Sequence, residues 1–364
     1  MTWYLSPTGD AGADGLSAGS PRAALDELTS LAKGDRVVLL PGAYQRSMAL
    51  TRSGTAACPI LIAGPEDGGV VLEGQLEIGA RYTVLRELEF SGQRVDDVWI
   101  NGSAHVTFDR VRFRSRPPGP NAFPRNINSG CCVDCAVVDS TFESAEGVSV
   151  VLVQGGVDCG GFVFRGNRVL LDYGIDLAFS VPNARVEGNE FTGRFHSDVV
   201  SFFNGGEGTG VVRRNVFHDL EARYPDKQLI RGAALVESNT FSEINGATVP
   251  LVSTGRFRDN LVTAASPMVA LSMPGGGDYN IFDPSVTKPW ADSSAGHLVS
   301  GTDRASLVEF ESPSSFVPAA QSAAIDSADP ALPVPPGGGA RADVGALERG
   351  ASWSHGRYCI LDGG

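Results

Sequence analysis

The side chains of this sequence that could do chemistry together lie between residues 173 and 231. That stretch carries groups able to transfer protons or bind ions: Tyr173, Asp176, His196, Asp198, Lys227 and Arg231. His196 and Asp198 are two residues apart, so in a strand both side chains would project to the same side. Histidine and lysine act as general bases near neutral pH, while tyrosine and arginine can donate protons or stabilise negative charge. The segment therefore indicates an acid–base site, with His196 or Lys227 favoured as the base.

Asp176 and Asp198 raise the separate question of a bound metal. Each lies seven residues after the end of a short apolar segment. If neighbouring coils stack these positions, the two carboxylates lie only about 5 Å apart and repel each other unless a cation neutralises them. Calcium takes such oxygen ligands, with Asp226 or Gln228 as the third. The sequence thus predicts a calcium site at Asp176, Asp198 and Asp226; the alternative is two solvent-facing aspartates screened by nearby cations.

The element that must position these residues is visible in a repeat of asparagines. They recur every 20 to 26 residues at Asn167, Asn189, Asn215, Asn239, Asn260 and Asn280. Five of them occupy the fourth position of a hexad with large apolar ends: FRGNRV, VEGNEF, VRRNVF, VESNTF and FRDNLV. A period this short leaves no room for a repeated helix, so each repeat predicts one coil of a parallel β-solenoid. Stacked coils would bury the apolar ends and align the asparagines in a ladder about 4.8 Å apart.

Cysteines fall into the same register. Of six in the chain, Cys131, Cys132 and Cys135 form a cluster, and Cys159 follows one repeat later. Cys132 and Cys159 each lie ten residues before the end of an apolar hexad, so we expect them to stack on neighbouring coils. A disulfide and a pair of buried thiols both fit that separation. Zinc is the weaker alternative, because CCxxC is not a standard ligand spacing.

An arginine row alternates with apolar residues just before the cysteines. Arg110, Arg112 and Arg114 flank Val111 and Phe113, so one strand would present arginines opposite its apolar face. The row is either an anion-binding surface or a solvated edge.

Composition limits the function classes. The net charge of -13 disfavours general nucleic-acid binding, and no apolar segment is long enough for a membrane span. The first residues, MTWYLSPTG, lack the basic and apolar regions of an export signal, although a signal peptide removed earlier stays open.

The chain divides into three parts around one solenoid. Residues 1–35 form an N-terminal cap with an amphipathic helix of about three turns that begins at Ser20-Pro21 and buries Leu25, Leu28 and Leu31. Residues 36–285 form about nine to eleven coils of an all-β, right-handed parallel β-helix. Residues 286–364 lose the period and are rich in Ser, Ala, Pro and Gly, which indicates an irregular segment packed over the last coils.

Both ends of the sequence resemble a known family. The opening strings YLSPTGDAGADGLSAGSPRAALDEL, GDRVVLLPGAY and SGTAACPILIAGPEDGGVVLEG are similar to the start of right-handed parallel β-helix proteins. This group includes polysaccharide lyases of the chondroitinase B and alginate lyase type. Near the end, SAAIDSADPALPVP and ADVGALERG resemble the closing segment of many bacterial β-helix proteins. With the repeats, the resemblance covers nearly the whole chain.

The resemblance implies a lyase that cleaves an acidic, uronic-acid-containing polysaccharide by β-elimination, in a secreted or periplasmic protein. In such lyases a lysine and an arginine on neighbouring coils act beside acidic calcium ligands. Lys227 or Arg231 falls near the expected coil, whereas the next coil, GATVPLVSTG, has no arginine. Arg125 and the row of Arg110, Arg112 and Arg114 would bind further sugar units.

Other functions use the same residues. A uronate C5-epimerase begins with the same proton abstraction, and a glycoside hydrolase would use the aspartates as acid and nucleophile. A non-catalytic, adhesin-like glycan-binding solenoid would keep the aspartates only as a calcium staple. Sequence leaves all of these open.

Overall fold

The structure, a computed structural model, describes residues 1–92, 96–116, 124–156, 158–246, 252–263, 271–272, 277–282, 304–305, 309–311, 316–332, 334 and 339–346. For residues 173–176, 253–254, 271–272, 278 and 304–305 it describes the backbone only.

The described residues form β-strands joined by turns and two single 3-10 turns, at Leu25–Glu27 and Asn204–Gly206. In chain order the strands are β1 (Thr2–Leu5), β2 (Arg36–Leu39), β3 (Gly42–Tyr44), β4 (Met48–Leu50), β5 (Ile60–Ala63), β6 (Val70–Leu72), β7 (Leu76–Ile78), β8 (Arg81–Arg86), β9 (Glu89–Phe90), β10 (Val98–Asp109), β11 (Arg112–Arg114), β12 (Arg125–Val133), β13 (Ala136–Val138), β14 (Thr141–Glu143), β15 (Ser149–Val153), β16 (Val163–Arg165), β17 (Arg168–Phe179), β18 (Arg185–Glu187), β19 (Glu190–Phe195), β20 (Val200–Phe202), β21 (Val211–Arg213), β22 (Val216–Ala222), β23 (Ile230–Glu237), β24 (Thr240–Asn245), β25 (Val252–Arg258), β26 (Leu261–Thr263), β27 (Leu271–Ser272), β28 (Gly277–Asp278), β29 (Ile281–Phe282) and β30 (Arg304–Ala305).

The strands stack as a parallel β-solenoid of about nine turns, which confirms the predicted repeat architecture. Every coil contributes to three stacks of parallel strands. Stack A contains the strands that precede the asparagine turn, such as β13, β16, β18 and β21. Stack B contains the strands that follow it, such as β14, β19, β22 and β24. Stack C closes the coil with strands such as β12, β15 and β20 and with parts of β10, β17 and β23.

In-register apolar residues fill the interior. Phe113 stacks between Phe90 and Phe142 at ring-centroid distances of 4.8 and 4.7 Å. Three coils further on, Phe191 and Phe217 repeat the arrangement at 4.8 Å. All five rings are fully buried, so each coil is held by apolar contact with the coil on either side.

The asparagine ladder forms as predicted. Each Asn side chain after the first accepts a hydrogen bond from the backbone N–H of the preceding Asn, and Asn167 accepts from the Ser140 N–H. The distances from Asn189 N to Asn215 Oδ1 and from Asn215 N to Asn239 Oδ1 are both 2.9 Å. The residue before each Asn, from Gly166 to Tyr279, adopts a left-handed backbone conformation. This conformation turns the chain sharply and leaves backbone groups that the amide satisfies.

The predicted N-terminal helix is wrong. Only Leu25–Glu27 forms a single 3-10 turn, because the residues expected to begin the helix pair with β1 instead: Arg22 bridges Leu5 and its N–H donates to Tyr4 O at 3.0 Å. The apolar residues of the predicted helix are nevertheless buried, as their spacing predicted. Leu25, Leu28 and Leu31 are buried over the first coil.

The described C-terminal residues lie against the last coils. Ala324, Ala328 and Val344 pack on Leu261 and Ile281, which project outward from stack B. Hydrogen bonds from Asp329 N–H to Asp259 Oδ1 and from Ala346 N–H to Thr240 Oγ1 also join them to the solenoid.

The disulfide pairing differs from the expected stack. Cys131 bonds to Cys159 with Cα atoms 5.4 Å apart, and Cys132 bonds to Cys135. Sequence left open whether Cys132 and Cys159 form a disulfide, and they do not: Cys132 is fully buried and bonds to Cys135, while the less buried Cys131 bonds to Cys159. Within the described ranges no cluster of three or more His, Cys, Asp or Glu could hold a metal ion, and no helix there could cross a membrane.

Candidate functional site

Most of the predicted chemical residues meet where the chain passes from stack B to stack C. We call this place the corner: residues 196–199 between β19 and β20, and residues 223–229 between β22 and β23. Gly193 in β19 makes the approach possible, since its backbone has a φ of +104° and a Cβ there would collide with the carbonyl of Leu171. Phe195, the last residue of β19, is buried, and His196 follows it at the edge of the strand.

His196 has the environment of a base. Burial lowers the pKa of its imidazole, and the positive charges of Arg223 and Lys227 lower it further against the opposing charge of Glu146. Its ring packs edge-on to Tyr224 at 5.1 Å between centroids. A histidine held below its usual pKa of 6.5 is neutral at neutral pH and can accept a proton.

Two cations act on this imidazole, Arg223 and Lys227. Arg223 forms an ion pair with Glu146 and places its guanidinium 5.6 Å from the centroid of the Tyr224 ring. Lys227 Nζ lies 3.1 Å from Asp226 Oδ2. A third cation, Arg231 in β23, faces Asp198 and has 66% of its side chain exposed. Each of these cations is therefore paired with a carboxylate.

Asp198 holds the two coils of the corner together. Its Oδ1 accepts a hydrogen bond from the Gln228 N–H at 2.9 Å, and its Oδ2 lies 3.7 Å from Arg231 Nη1. Because the carboxylate is only 9% exposed, it positions Arg231 rather than facing solvent itself.

Asp176 does not stack on Asp198. Leu177 pairs with Val200, so Asp176 falls beside Val199. The sequence count failed because β17 and β19 are interrupted by a bulge after Asp172 and their corners differ in length. The side chains of Asp176 and Tyr173 lie outside the described residues, and their predicted roles stay predictions.

The calcium site is likewise a prediction, and the described ligands do not favour it. Asp198 already faces Arg231, and Asp226 already faces Lys227. A carboxylate neutralised by an arginine or lysine has less attraction for a divalent cation.

The arginine row is an ion-paired surface. Arg112 contacts Glu89 and Glu143, and Arg114 reaches the same two carboxylates at 3.5 and 3.4 Å. Arg110 pairs with Glu87 and Asp109. These contacts lie on the outer side of stack B and at its edge with stack A, and they account for the row without a ligand. Arg125 is different, because it begins β12 on stack C.

Sequence reasoning missed three members of the corner: Tyr224, Arg223 and Glu146. The extra residues of the EARYPDK segment were a usable signal for the first two, since an insertion at one coil enlarges a corner. Glu146 follows β14, three coils before the coil of Arg223, and contacts the corner through its ion pair with Arg223, which linear spacing does not reveal.

Comparison with solved structures shows that the fold is shared with polysaccharide lyases. A pectate lyase aligns over 96% of this chain and 96% of its own, with a TM-score of 0.59 at 17% identity. A rhamnogalacturonan lyase aligns over 83% and 90%, with a TM-score of 0.50 at 16% identity. An alginate lyase aligns over 78% of this chain and 52% of its own, with a TM-score of only 0.41 at 14% identity. At such identities the likeness shows the fold alone.

No protein-family model matches the sequence, and no curated protein matches it.

Proposed function

We propose that this protein cleaves an acidic, uronic-acid-containing polysaccharide by β-elimination, with His196 as the base. One observation carries the proposal: a histidine with a lowered pKa lies near Arg223 and Lys227 at a corner of the solenoid, where Asp198 also faces the exposed Arg231. The shared fold with a pectate lyase supports it and makes pectate the first substrate to test.

The reaction needs three groups, and the corner offers candidates for each. Arg231 or Lys227 would pair with the uronate carboxylate, which acidifies the proton on the adjacent carbon. Neutral His196 would take that proton, and the electron pair of the broken C–H bond forms the new double bond as the glycosidic C–O bond breaks. The leaving oxygen then needs a proton, for which Tyr224, whose ring packs against His196, is a candidate donor, and Tyr173 is the donor predicted from sequence.

A substrate screen separates this reaction from its relatives. Pectate, alginate and glycosaminoglycans would be incubated with the protein, and ultraviolet absorbance of the unsaturated uronate would be followed. We expect absorbance with at least one of them. Reducing ends without absorbance would mean hydrolysis, and deuterium uptake from heavy water into an uncleaved polymer would mean epimerisation. Binding without any reaction would favour the glycan-binding scaffold.

We also propose that the protein works outside the reducing cytoplasm. The disulfides Cys131–Cys159 and Cys132–Cys135 support this, because such bonds persist in oxidising compartments. Alkylation of unreduced protein from its native host tests the point. Cys58, the free cysteine among the described residues, should be the main site labelled, and labelling at Cys131 or Cys159 would contradict the proposal.

A further inference from the structure

We propose that Trp99, Asp96, Asn128 and Arg125 form a second sugar-binding subsite, well before the corner along the solenoid. The proposal rests on the proposed function, since it assigns the same polysaccharide a longer binding surface.

Trp99 faces outward from stack C. Its neighbours in β10, Val98 and Ile100, are fully buried in the core, and alternation along the strand therefore directs the indole to the outside. Trp99 is nevertheless only half-buried. A partly exposed indole on a sheet face offers a flat apolar surface on which the ring of a sugar can stack.

The row that contains Trp99 leads to the corner. Backbone pairing runs from Trp99 to Asn128, then through Leu152, Ala178 and Ser201 to Arg231. Between the two ends the row carries Asn128, Leu152, Ala178 and Ser201, none of them aromatic or charged. From Trp99 to Ser201, in the His196 coil, the row spans four coil spacings, or about 19 Å. A ligand that touches both ends must contain several sugar units.

A rigid polar network borders the indole. Asp96 Oδ1 accepts from the Arg125 N–H at 2.9 Å, and Asp96 Oδ2 accepts from Asn128 Nδ2 at 2.6 Å. The guanidinium of Arg125 lies 3.7 Å from the same carboxylate, with 31% of the side chain exposed. Asp96 thus fixes the direction of Arg125 while leaving part of it open to solvent.

Buried polar groups beside this network have hydrogen-bonding capacity that the network does not use. Among the described residues, buried Asn128 Oδ1 has no hydrogen-bond partner, which is unusual for an amide oxygen. Asp97 accepts from Asn126 Nδ2 at 2.8 Å, and burial raises its pKa to about 7. A water molecule or a sugar hydroxyl that enters beside Trp99 would donate a hydrogen bond to Asn128 Oδ1.

The combination identifies the ligand by its chemistry. An aromatic face suits the apolar side of a sugar ring, amide and carboxylate oxygens suit hydroxyl groups, and a guanidinium suits a uronate carboxylate. Arg125 lies beside the Trp99 row, in the coil that follows Trp99. The subsite is therefore suited to a uronate unit of the polymer held at the corner.

Calorimetric binding of galacturonate oligomers of increasing length to the Trp99→Ala variant tests the proposal. We expect affinity for long oligomers to fall about tenfold, which corresponds to about 1.4 kcal/mol. Affinity for a dimer or trimer, which cannot reach both ends, should stay unchanged. Trp99→Phe keeps an aromatic ring and should restore most of the loss. Glu77→Ala is the matched control, because Glu77 is the exposed neighbour of Trp99 in the preceding coil.

Two results would overturn the subsite: equal affinity of wild type and Trp99→Ala for long oligomers, or an equal loss for short and long ones. Failure of the proposed function looks different, because wild-type protein would then bind no acidic oligosaccharide of any length.

Discussion

At the scale of single residues, the chemistry of the corner depends on the charges around His196. Burial lowers its pKa first, and Arg223 and Lys227 lower it further. A base acts in its deprotonated form, so we expect kcat/KM to rise with pH through a pKa below the ordinary 6.5 and then to level off.

Arg223→Gln tests the electrostatic part of this account. The substitution removes one positive charge near the imidazole, so the pKa should rise and the acidic limb of the kcat/KM profile should move to higher pH. Arg185→Gln, an exposed residue of β18 on stack A, is the matched control and should keep the wild-type profile. An acidic limb that stays in place in Arg223→Gln would contradict the assignment of His196 as the titrating base.

Calcium is a second question at this scale. Arg231 and Lys227 already face the carboxylates of Asp198 and Asp226, and we expect these cations rather than a metal to neutralise the substrate. Treatment with a chelator should leave turnover unchanged. Loss of activity on chelation, restored by calcium, would show that the calcium site predicted from sequence assembles and that cationic side chains do not suffice.

At the scale of elements, the asparagine ladder was predictable because one residue type serves the same backbone need in every coil. Asn215 shows the pattern: Oδ1 accepts from the Asn189 N–H, while Nδ2 donates to Val186 O and to Asn239 Oδ1, all at 2.9 Å. The same turn in every coil leaves the same backbone groups to be hydrogen-bonded, so the asparagines recur at a regular spacing that the sequence shows.

Removal of one rung should be costly. Asn215→Ala leaves the buried N–H of Asn189 without its acceptor and removes the donor to Val186 O, so we expect a loss of about 3 kcal/mol in the free energy of unfolding. Urea unfolding measures it. Asn245→Ala is the control, because this exposed asparagine at the end of β24 makes only one long contact, 3.5 Å to Glu243 O. A loss at Asn215 no larger than at Asn245 would mean that the ladder does not stabilise the coils.

Corners and caps were less predictable than strands. The corner of Asp198 differs in length from that of Asp176. Counting residues from the hexads does not show at which position the two coils go out of register. Leu25 and Leu28 have helical spacing, yet Arg22 pairs with β1 and leaves only one turn. In both places tertiary pairing outweighs the local pattern.

At the scale of the whole molecule, a buried aspartate is one of the contacts that attach the C-terminal segment to the solenoid. Asp259 Oδ1 accepts from the Asp329 N–H at 2.7 Å, and its backbone carbonyl accepts from the Gly345 N–H at 3.0 Å. The side chain is fully buried, and burial raises its pKa to about 7. The protonated form is therefore the one that the folded protein favours.

The raised pKa of Asp259 determines how the stability of this attachment changes with pH. The folded-state pKa of Asp259 is raised above the ordinary 3.8, so its contribution to stability is fully present below 3.8 and is lost as pH rises through about 7. Proteolysis of the C-terminal segment should accelerate across that window. Asp259→Asn cannot ionise and should flatten this dependence while keeping the Asp329 contact. The same pH dependence in wild type and Asp259→Asn would place the titrating group elsewhere.

The central claim for the molecule is that a neutral histidine at the corner of a parallel solenoid abstracts a proton from a uronate. Initial rates of unsaturated product from pectate, for wild type, His196→Ala and His105→Ala, test it most directly. His105 is a matched control, because it stacks on Tyr82 at 4.4 Å and precedes the stack A part of β10. We expect His105→Ala to retain the wild-type rate and His196→Ala to lose about a hundredfold or more. A His196→Ala variant as active as wild type would contradict the account.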